Sequence, residues 1–217
     1  MTKESATQGR LIALSTYNSL RTETQPKMFY IPVILGSTRR NRQSIKVAKF
    51  ALSSLQQTGK VETELLDLQE LNFPMMEERL RFRNDPPPGI PEFSAKITRA
   101  DAVLIVTPEY NNGYPGVLKN ALDYLYTEYK RKPFGIITVS AGGFGGILCL
   151  TSLRQVVLAL GGVPIPASLP VAKVQDAFDA EGKPVDPAFQ KRATAFFDEL
   201  LWFTEALANQ RNHGTAS

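Results

Sequence analysis

Three times in 217 residues an apolar run of strand length passes through a loop of small and polar residues into a segment whose apolar positions recur at helical spacing. Residues 29–35 lead through residues 36–44 to Ile45, Ala48, Ala51, Leu52 and Leu55 on one side of a helix. Residues 102–106 lead through residues 108–117 to Val117, Leu118, Ala121, Leu122 and Leu125. Residues 134–139 lead through residues 140–146 to an apolar helix over 147–160. Strands joined only through helices run parallel, and right-handed crossovers then cover both faces of one sheet. A second strand over 61–68 and a last one over 163–169, broken by Pro164 and Pro166 and so placed at an edge, complete the set. The predicted fold is α/β, a three-layer sandwich around a five-stranded parallel sheet of order 2-1-3-4-5. Such sheets bind ligands beyond the carboxyl ends of their strands, beside the point where strand order reverses, and all three loops open there.

The loops differ in chemistry. The first joins Gly36 and two hydroxyl residues to Arg39, Arg40, Arg42, Gln43 and Ser44 at a helix start. Backbone N–H groups and the helix dipole favour an anion there, and guanidinium groups fork onto phosphate oxygens. Three close arginines alone fit a solvated loop better, but the strand before and the helix after favour a phosphate site. An ATP-binding P-loop is excluded because no Gly-Lys-Ser/Thr is present, and a single glycine cannot supply the dinucleotide fingerprint. The second loop, residues 108–117, offers backbone donors, a flat aromatic and a turn, which suit a planar ligand better than a metal. The third carries Gly142, Gly143, Gly145 and Gly146, with Leu148 where the fingerprint's last glycine belongs. On its own it fits a tight strand-to-helix turn equally well. Together the loops outline a phosphate pocket and two backbone-lined walls for a planar ring.

Gly36-Ser-Thr-Arg39, the block from Pro108, Glu109, Tyr110 and Asn111 to Leu118-Lys-Asn-Ala121, and residues 140–146 followed by Leu153 and Arg154 stand in this order and spacing. In this they resemble the NADPH-dependent FMN reductase family of flavodoxin-like proteins. The resemblance implies an oxidoreductase that passes a hydride from NADPH or NADH through bound FMN to a flavin, quinone, azo or similar acceptor. It also implies a homodimer or homotetramer. Carried over by position, Ser37, Arg39 and Ser44, with Arg42 and Gln43, contact the phosphate. Pro108, Glu109, Tyr110 and Asn111 form the loop under the ring and ribityl chain, and Ser140, Ala141, Gly142 and Gly143 form the opposite wall. FMN carries the chemistry, so no catalytic side chain is required, and N–H groups near Gly142 and Gly143 stabilise charge on the reduced ring. Tyr110 is expected to shape the pocket, since hydride transfer to a flavin requires no proton from the protein in the same step. The alternative is a non-enzymatic FMN-binding module for redox sensing or electron shuttling.

Composition narrows the remaining classes. Lys plus Arg number 25 against 21 Asp plus Glu, interspersed, which suits anionic small molecules and carries no claim for nucleic acid. Cys149 is the only cysteine and is expected to be a packed thiol; His213 is the only histidine, leaving a zinc site and a Ser-His-Asp triad unsupported. No window reaches the roughly twenty apolar residues of a membrane span. The apolar patch at 11–14 is too brief for a signal-peptide core, so a cytoplasmic protein is expected. Residues 1–27 read as a polar extension, 28–209 as the FMN-binding domain and 210–217 as a polar tail.

Three further segments carry expectations. Residues 72–91, with Pro74 and the run from Pro86 to Gly89, read as a lid, a subunit contact or a solvated loop. The helix from Val117 carries Leu118, Leu122, Leu125, Tyr126 and Tyr129, more apolar surface than one sheet contact requires, which predicts a subunit interface on it. A final helix starts near Pro187 with Asp186 as N-cap. Its stripe of Phe189, Ala193, Phe196, Phe197, Leu200, Phe203 and Leu207 faces the sheet, with Trp202 packed beside it.

Overall fold

Residues 28–179 and 182–214 are described by a computed structural model. The first apolar run forms two short strands, β1 (Phe29–Tyr30) and β2 (Val33–Leu35), interrupted at Pro32, which has no N–H to give a ladder. Its neighbour divides in the same way into β3 (Val61–Glu62) and β4 (Leu65–Asp67). The amides of Ile31 and Val33 donate to the carbonyls of Glu62 and Glu64 across the gap, so the two short pairs continue one another. β5 (Val103–Pro108) and β6 (Pro133–Val139) are the longest strands and are buried along almost their whole length. The order is β4-β2-β5-β6-β7, every neighbour parallel, with β7 (Val163–Pro164) against the start of β6 and β8 (Leu169–Val171) against its end. In terms of the five apolar runs this is the predicted 2-1-3-4-5.

Just as the runs over 29–35 and 61–68 each divide in two, the sheet departs from the prediction at its last edge as well, where two strands stand in place of a single run over 163–169. Between them the Arg154 guanidinium donates to the carbonyls of Ile165, Pro166 and Ala167 at 3.1, 2.7 and 3.4 Å. These carbonyls sit where two prolines prevent a regular ladder, and the arginine satisfies them instead.

Among the described residues six helices cover the sheet: α1 (Ser44–Gln57), α2 (Leu68–Leu71), α3 (Ile90–Arg99), α4 (Gly116–Asp123), α5 (Ile147–Ala159) and α6 (Pro187–Asn212). Strand alternation sorts the core into two halves. Ala102, Leu104 and Val106 face α1 and α6, whereas Val103 and Ile105 face α3, α4 and α5. α6 starts where predicted, the Asp186 carboxylate accepting from the Ala188 amide at 2.8 Å, and runs on to Asn212. Residues 1–27 and 215–217 lie outside the described residues, and the extension predicted there with them.

Two expectations about apolar surface are corrected. Trp202 is 65% exposed, its ring edge-on to Phe203 at 5.0 Å, because Leu200 and Thr204 hold the inward side of that turn. The second concerns the helix from Val117, which stops at Asp123 and is followed by a 3₁₀ turn, Thr127–Tyr129. Leu118, Leu122, Leu125 and Tyr129 are fully buried in the chain's own core, and only Tyr126 remains partly exposed. They are therefore not the interface their number suggested. Their cover comes partly from the segment after α2. Asn120 accepts from the Met76 amide at 2.8 Å and donates to the Pro74 carbonyl at 2.7 Å; the Tyr124 hydroxyl donates to the same carbonyl, and the Leu80 amide to the Tyr124 carbonyl. That segment is a fastened strap and not a solvated loop.

α5 ends on a glycine pair. The Gly161 amide donates to Leu158 O and the Gly162 amide to Val157 O, with Gly161 at φ 75°, the Schellman pattern that closes a helix with a left-handed residue. Gly162 then passes so close to Phe134 that a Cβ would fall 2.7 Å from its ring and 2.9 Å from Val157. Since Phe134 is buried and cannot swing aside, Gly162→Ala is expected to lower stability by about 1–3 kcal/mol, measured by denaturant unfolding.

Candidate functional site

The loops after β2, β5 and β6 converge on one cleft of about 360 Å³, within the range of small-molecule sites of roughly 300–1,000 Å³. Ten of the thirteen predicted residues line it: Ser37, Arg39, Arg42, Gln43 and Ser44 from the first loop, Pro108, Glu109 and Tyr110 from the second, Ser140 and Ala141 from the third. Asn111, Gly142 and Gly143 lie beside it and are not among the lining residues. Val139 at the end of β6, and Asn41, Val174 and Gln175, also line it. Val174 and Gln175 come from a turn after β8 with no motif to mark it; their signal is only that they follow a fourth parallel strand.

The first loop owes its shape to an ion pair. Both guanidinium nitrogens of Arg42 donate to the Asp67 carboxylate, one at 2.7 Å to Oδ1 and the other to Oδ2, and Nη1 also donates to the Ser37 carbonyl. Asp67 is at the end of β4 and accepts from the Gln69 amide at 2.9 Å as the cap of α2. Arg42 is thus engaged within the protein. Arg39 also faces the cleft and, among the described residues, forms no ion pair; its guanidinium carbon lies 6.0 Å from the centre of the Tyr110 ring. Arg40 does not line the cleft. Gly36 lets this loop leave β2 close to its neighbours, since a Cβ there would meet Leu118 and the Thr107 hydroxyl at 3.1 Å.

α1 begins at this loop with no side-chain cap and no acidic residue in its first turn. Ser44, its first residue, is 3% exposed, lines the cleft and has a hydroxyl with no hydrogen-bond partner. An uncapped helix N-terminus, an orphaned buried hydroxyl and an unpaired guanidinium are the donors a phosphate takes up. The chain therefore fits the phosphate end of a flavin nucleotide.

The second loop is held by its own side chains. Tyr110 and Gly113 exchange amide-to-carbonyl bonds of 2.8 and 3.0 Å around Asn111 and Asn112, at φ 50° and 67°, a type I′ turn for which asparagine is suited. The Glu109 carboxylate accepts from the Cys149 amide at 2.9 Å in the first turn of α5. The positive end of that helix is thereby occupied, and the open anion site in the cleft is that of α1. In the third loop the amides of Gly142 and Gly143 donate to no group among the described residues, and a Cβ at either would meet open space. Cys149 is fully buried beside Glu109, and burial, with the carboxylate's charge second, pushes its thiol up to about 12. It is a packed thiol, as predicted. Among the described residues no group of His, Cys, Asp and Glu is arranged to hold a metal, and no helix is long and apolar enough to cross a membrane.

A parallel sheet whose carboxyl edge carries an open helix N-terminus and two backbone walls defines the class: a flavodoxin-like domain with a phosphate-anchored crevice. The chain belongs to the NADPH-dependent FMN reductase family, whose model matches residues 30–176. It is 32% identical over 183 residues to an FMN-dependent NADPH-azoreductase of Staphylococcus aureus strain USA300, covering 79% of this chain and 93% of the relative. Among solved structures it is similar to FerB, a flavoenzyme NAD(P)H:(acceptor) oxidoreductase from Paracoccus denitrificans, at 30% identity and TM-score 0.70, over 82% of this chain and 98% of that one. An NAD(P)H:quinone oxidoreductase from Methanothermobacter marburgensis, 17% identical with TM-score 0.53 over 87% and 100% of the two chains, shares the fold. The protein is thus an FMN-dependent NAD(P)H oxidoreductase, and the reading as a non-enzymatic module falls away.

Two outcomes follow from the site's packing. Asp67→Ala leaves the Arg42 charge nearly buried and unpaired, so stability is expected to fall by about 3–5 kcal/mol in denaturant unfolding. At pH 8 the folded Cys149 thiol should react with a disulfide reagent about a thousandfold more slowly than the unfolded chain, the ratio of thiolate populations for a thiol raised from 9.0 to about 12. The raised value also fixes the sign with pH. Above about pH 9 the unfolded chain loses this proton and the folded chain keeps it, so this contribution to stability is lost as pH rises toward 12, and Cys149→Ala should reduce the alkaline decline.

Proposed function

We propose that the cleft binds FMN with its phosphate at the N-terminus of α1 and its ring between the loops after β5 and β6. The observation that carries this reading is the buried, unpartnered Ser44 hydroxyl at an uncapped helix start facing the same cleft as the free Arg39. Ser37, Arg39, Ser44 and Gln43 are the phosphate contacts; Arg42, through Asp67, holds the loop in shape. Pro108, Glu109, Tyr110 and Asn111 line one side of the flavin, and Ser140, Ala141, Gly142 and Gly143 the other. The free amides of Gly142 and Gly143 are placed to stabilise negative charge on the ring edge, and no side chain acts as acid or base. When bound, FMN supplies the two-electron chemistry, accepting a hydride from the nicotinamide and delivering it to the acceptor.

The co-substrate is NADPH or NADH, and the acceptors are azo compounds, quinones, free flavins or similar compounds, the first two in keeping with the azoreductase and quinone oxidoreductase that the chain resembles. The FMN-binding unit is residues 28–209, between a polar extension and a polar tail, and it works in the cytoplasm, where its nicotinamide donor is drawn. The protein assembles as a homodimer or homotetramer. The support is a cluster of exposed apolar side chains at the start of α5, Phe144, Ile147 and Leu148, beside the third loop of the cleft.

Protein loaded with FMN, freed of excess flavin and kept anaerobic is expected to oxidise NAD(P)H catalytically only when an acceptor is added, and a panel of flavin, quinone, azo and metal acceptors with each nicotinamide ranks the pairs. Absence of turnover with every acceptor would refute the reading. Arg39→Ala should raise the FMN dissociation constant by about 10- to 150-fold, corresponding to roughly 1.5–3 kcal/mol for one charge-assisted contact. An unchanged constant removes Arg39 from the phosphate site. Light scattering at micromolar concentration should give at least twice the 24.0 kDa chain mass, and Leu148→Glu should shift it toward one chain.

A further inference from the structure

Tyr110 and Ser37 follow different strands, yet their hydroxyl oxygens lie 3.1 Å apart within the cleft. Ser37 is 1% exposed, and its carbonyl is fixed by the Arg42 guanidinium, so its side chain has little freedom of its own. A hydroxyl carries one hydrogen and two lone pairs. The phenol is the more acidic of the two and the better donor, so the serine oxygen accepts from Tyr110 and its own hydrogen remains for another acceptor. Among the described residues no other group bonds to that hydroxyl. The Tyr110 ring meanwhile lies against Arg39, the guanidinium without an ion pair. Both connections from Tyr110 lead to the phosphate loop and neither to the wall its own loop forms.

We propose that Tyr110 is a positioning residue for phosphate binding: its hydroxyl donates to Ser37 Oγ and turns the serine hydrogen toward the anion, while its ring backs Arg39. The proposal rests on the FMN reading of the cleft and changes the part Tyr110 plays in it, from a pocket-shaping aromatic to a link between two loops. It requires no proton transfer and no change in the redox chemistry.

Riboflavin has the ring and ribityl chain of FMN without the phosphate, so it separates the two roles. Dissociation constants for FMN and riboflavin are measured by flavin fluorescence for the wild type, Tyr110→Phe, Ser37→Ala and the double variant. Tyr110→Phe keeps the ring and the type I′ turn and removes only the hydroxyl. It should weaken FMN by about tenfold and riboflavin by less than about twofold, the scale of one hydrogen bond to a charged group. With Ser37 already replaced, adding Tyr110→Phe should weaken FMN no further, because the hydroxyl acts through that serine. Equal losses for both ligands, no loss for either, or additive losses in the double variant would each overturn the proposal. If a variant is poorly folded, rescue decides: Ser37→Thr, which keeps a hydroxyl, must restore the FMN-specific affinity that Ser37→Ala loses, and failure to do so also overturns it. A wild type that binds FMN no more tightly than riboflavin defeats the phosphate site itself, and the proposal with it, before any variant is compared.

Discussion

Arg42 and Asp67 meet in a forked ion pair with little access to solvent, and the mouth of the crevice is built around it. A carboxylate at the end of β4 and a guanidinium just before α1 bring two neighbouring strand ends together, and each has a second duty. Asp67 caps α2, and Arg42 holds the Ser37 carbonyl. Burying either charge alone costs several kcal/mol, so the pair is stable only when both loops take this one arrangement. The arrangement leaves the first turn of α1 bare, which in an ordinary helix is a defect to be capped. Here the bare turn is where the proposed phosphate site lies.

The loop after β5 acts as a cross-brace. Glu109 reaches to one side and satisfies the first turn of α5; Tyr110 reaches to the other and meets Ser37. Of the helices that start at this edge of the sheet, α1 and α5 begin at loops that flank the cleft, and a phosphate placed at either would gain from the dipole. With the Glu109 carboxylate already at α5, α1 is the open helix start that lines the cleft. This electrostatic difference is what supports the proposed orientation, with the phosphate at α1 and the ring beside the glycine-rich loop. The neutral, buried Cys149 thiol beside Glu109 adds no competing charge.

Such a site leaves most of the chemistry to its cofactor. The cleft offers an open helix start and two loop walls, and outside it a strap is fastened over α4 by Asn120 and Tyr124. In the proposed reading the cleft holds and orients the flavin, which is what cofactor-borne chemistry requires of its protein.

By itself the sequence determined the sheet. Buried strands of β-branched and aliphatic residues alternating with amphipathic helices permit only parallel pairing with helices on both faces, and that pairing puts every strand-to-helix loop at one edge. The three loops and ten of the lining residues were legible for that reason. Tertiary structure decided what pairwise contact decides. Arg39 and Arg42 read alike in a line of residues, and only the folding of Asp67, 25 positions away, engages one and leaves the other free. Val174 and Gln175 reach the cleft through a turn whose composition is ordinary, positioned by β8 pairing with the end of β6. Leu118, Leu122 and Tyr129 were read as surplus surface because helical periodicity gives the side a residue faces but not what covers it; the strap after α2 does the covering. Trp202 faces solvent for the converse reason, since the stripe that packs on the sheet is narrower than the apolar face of the helix. Periodicity is a property of one element, and burial is a property of two.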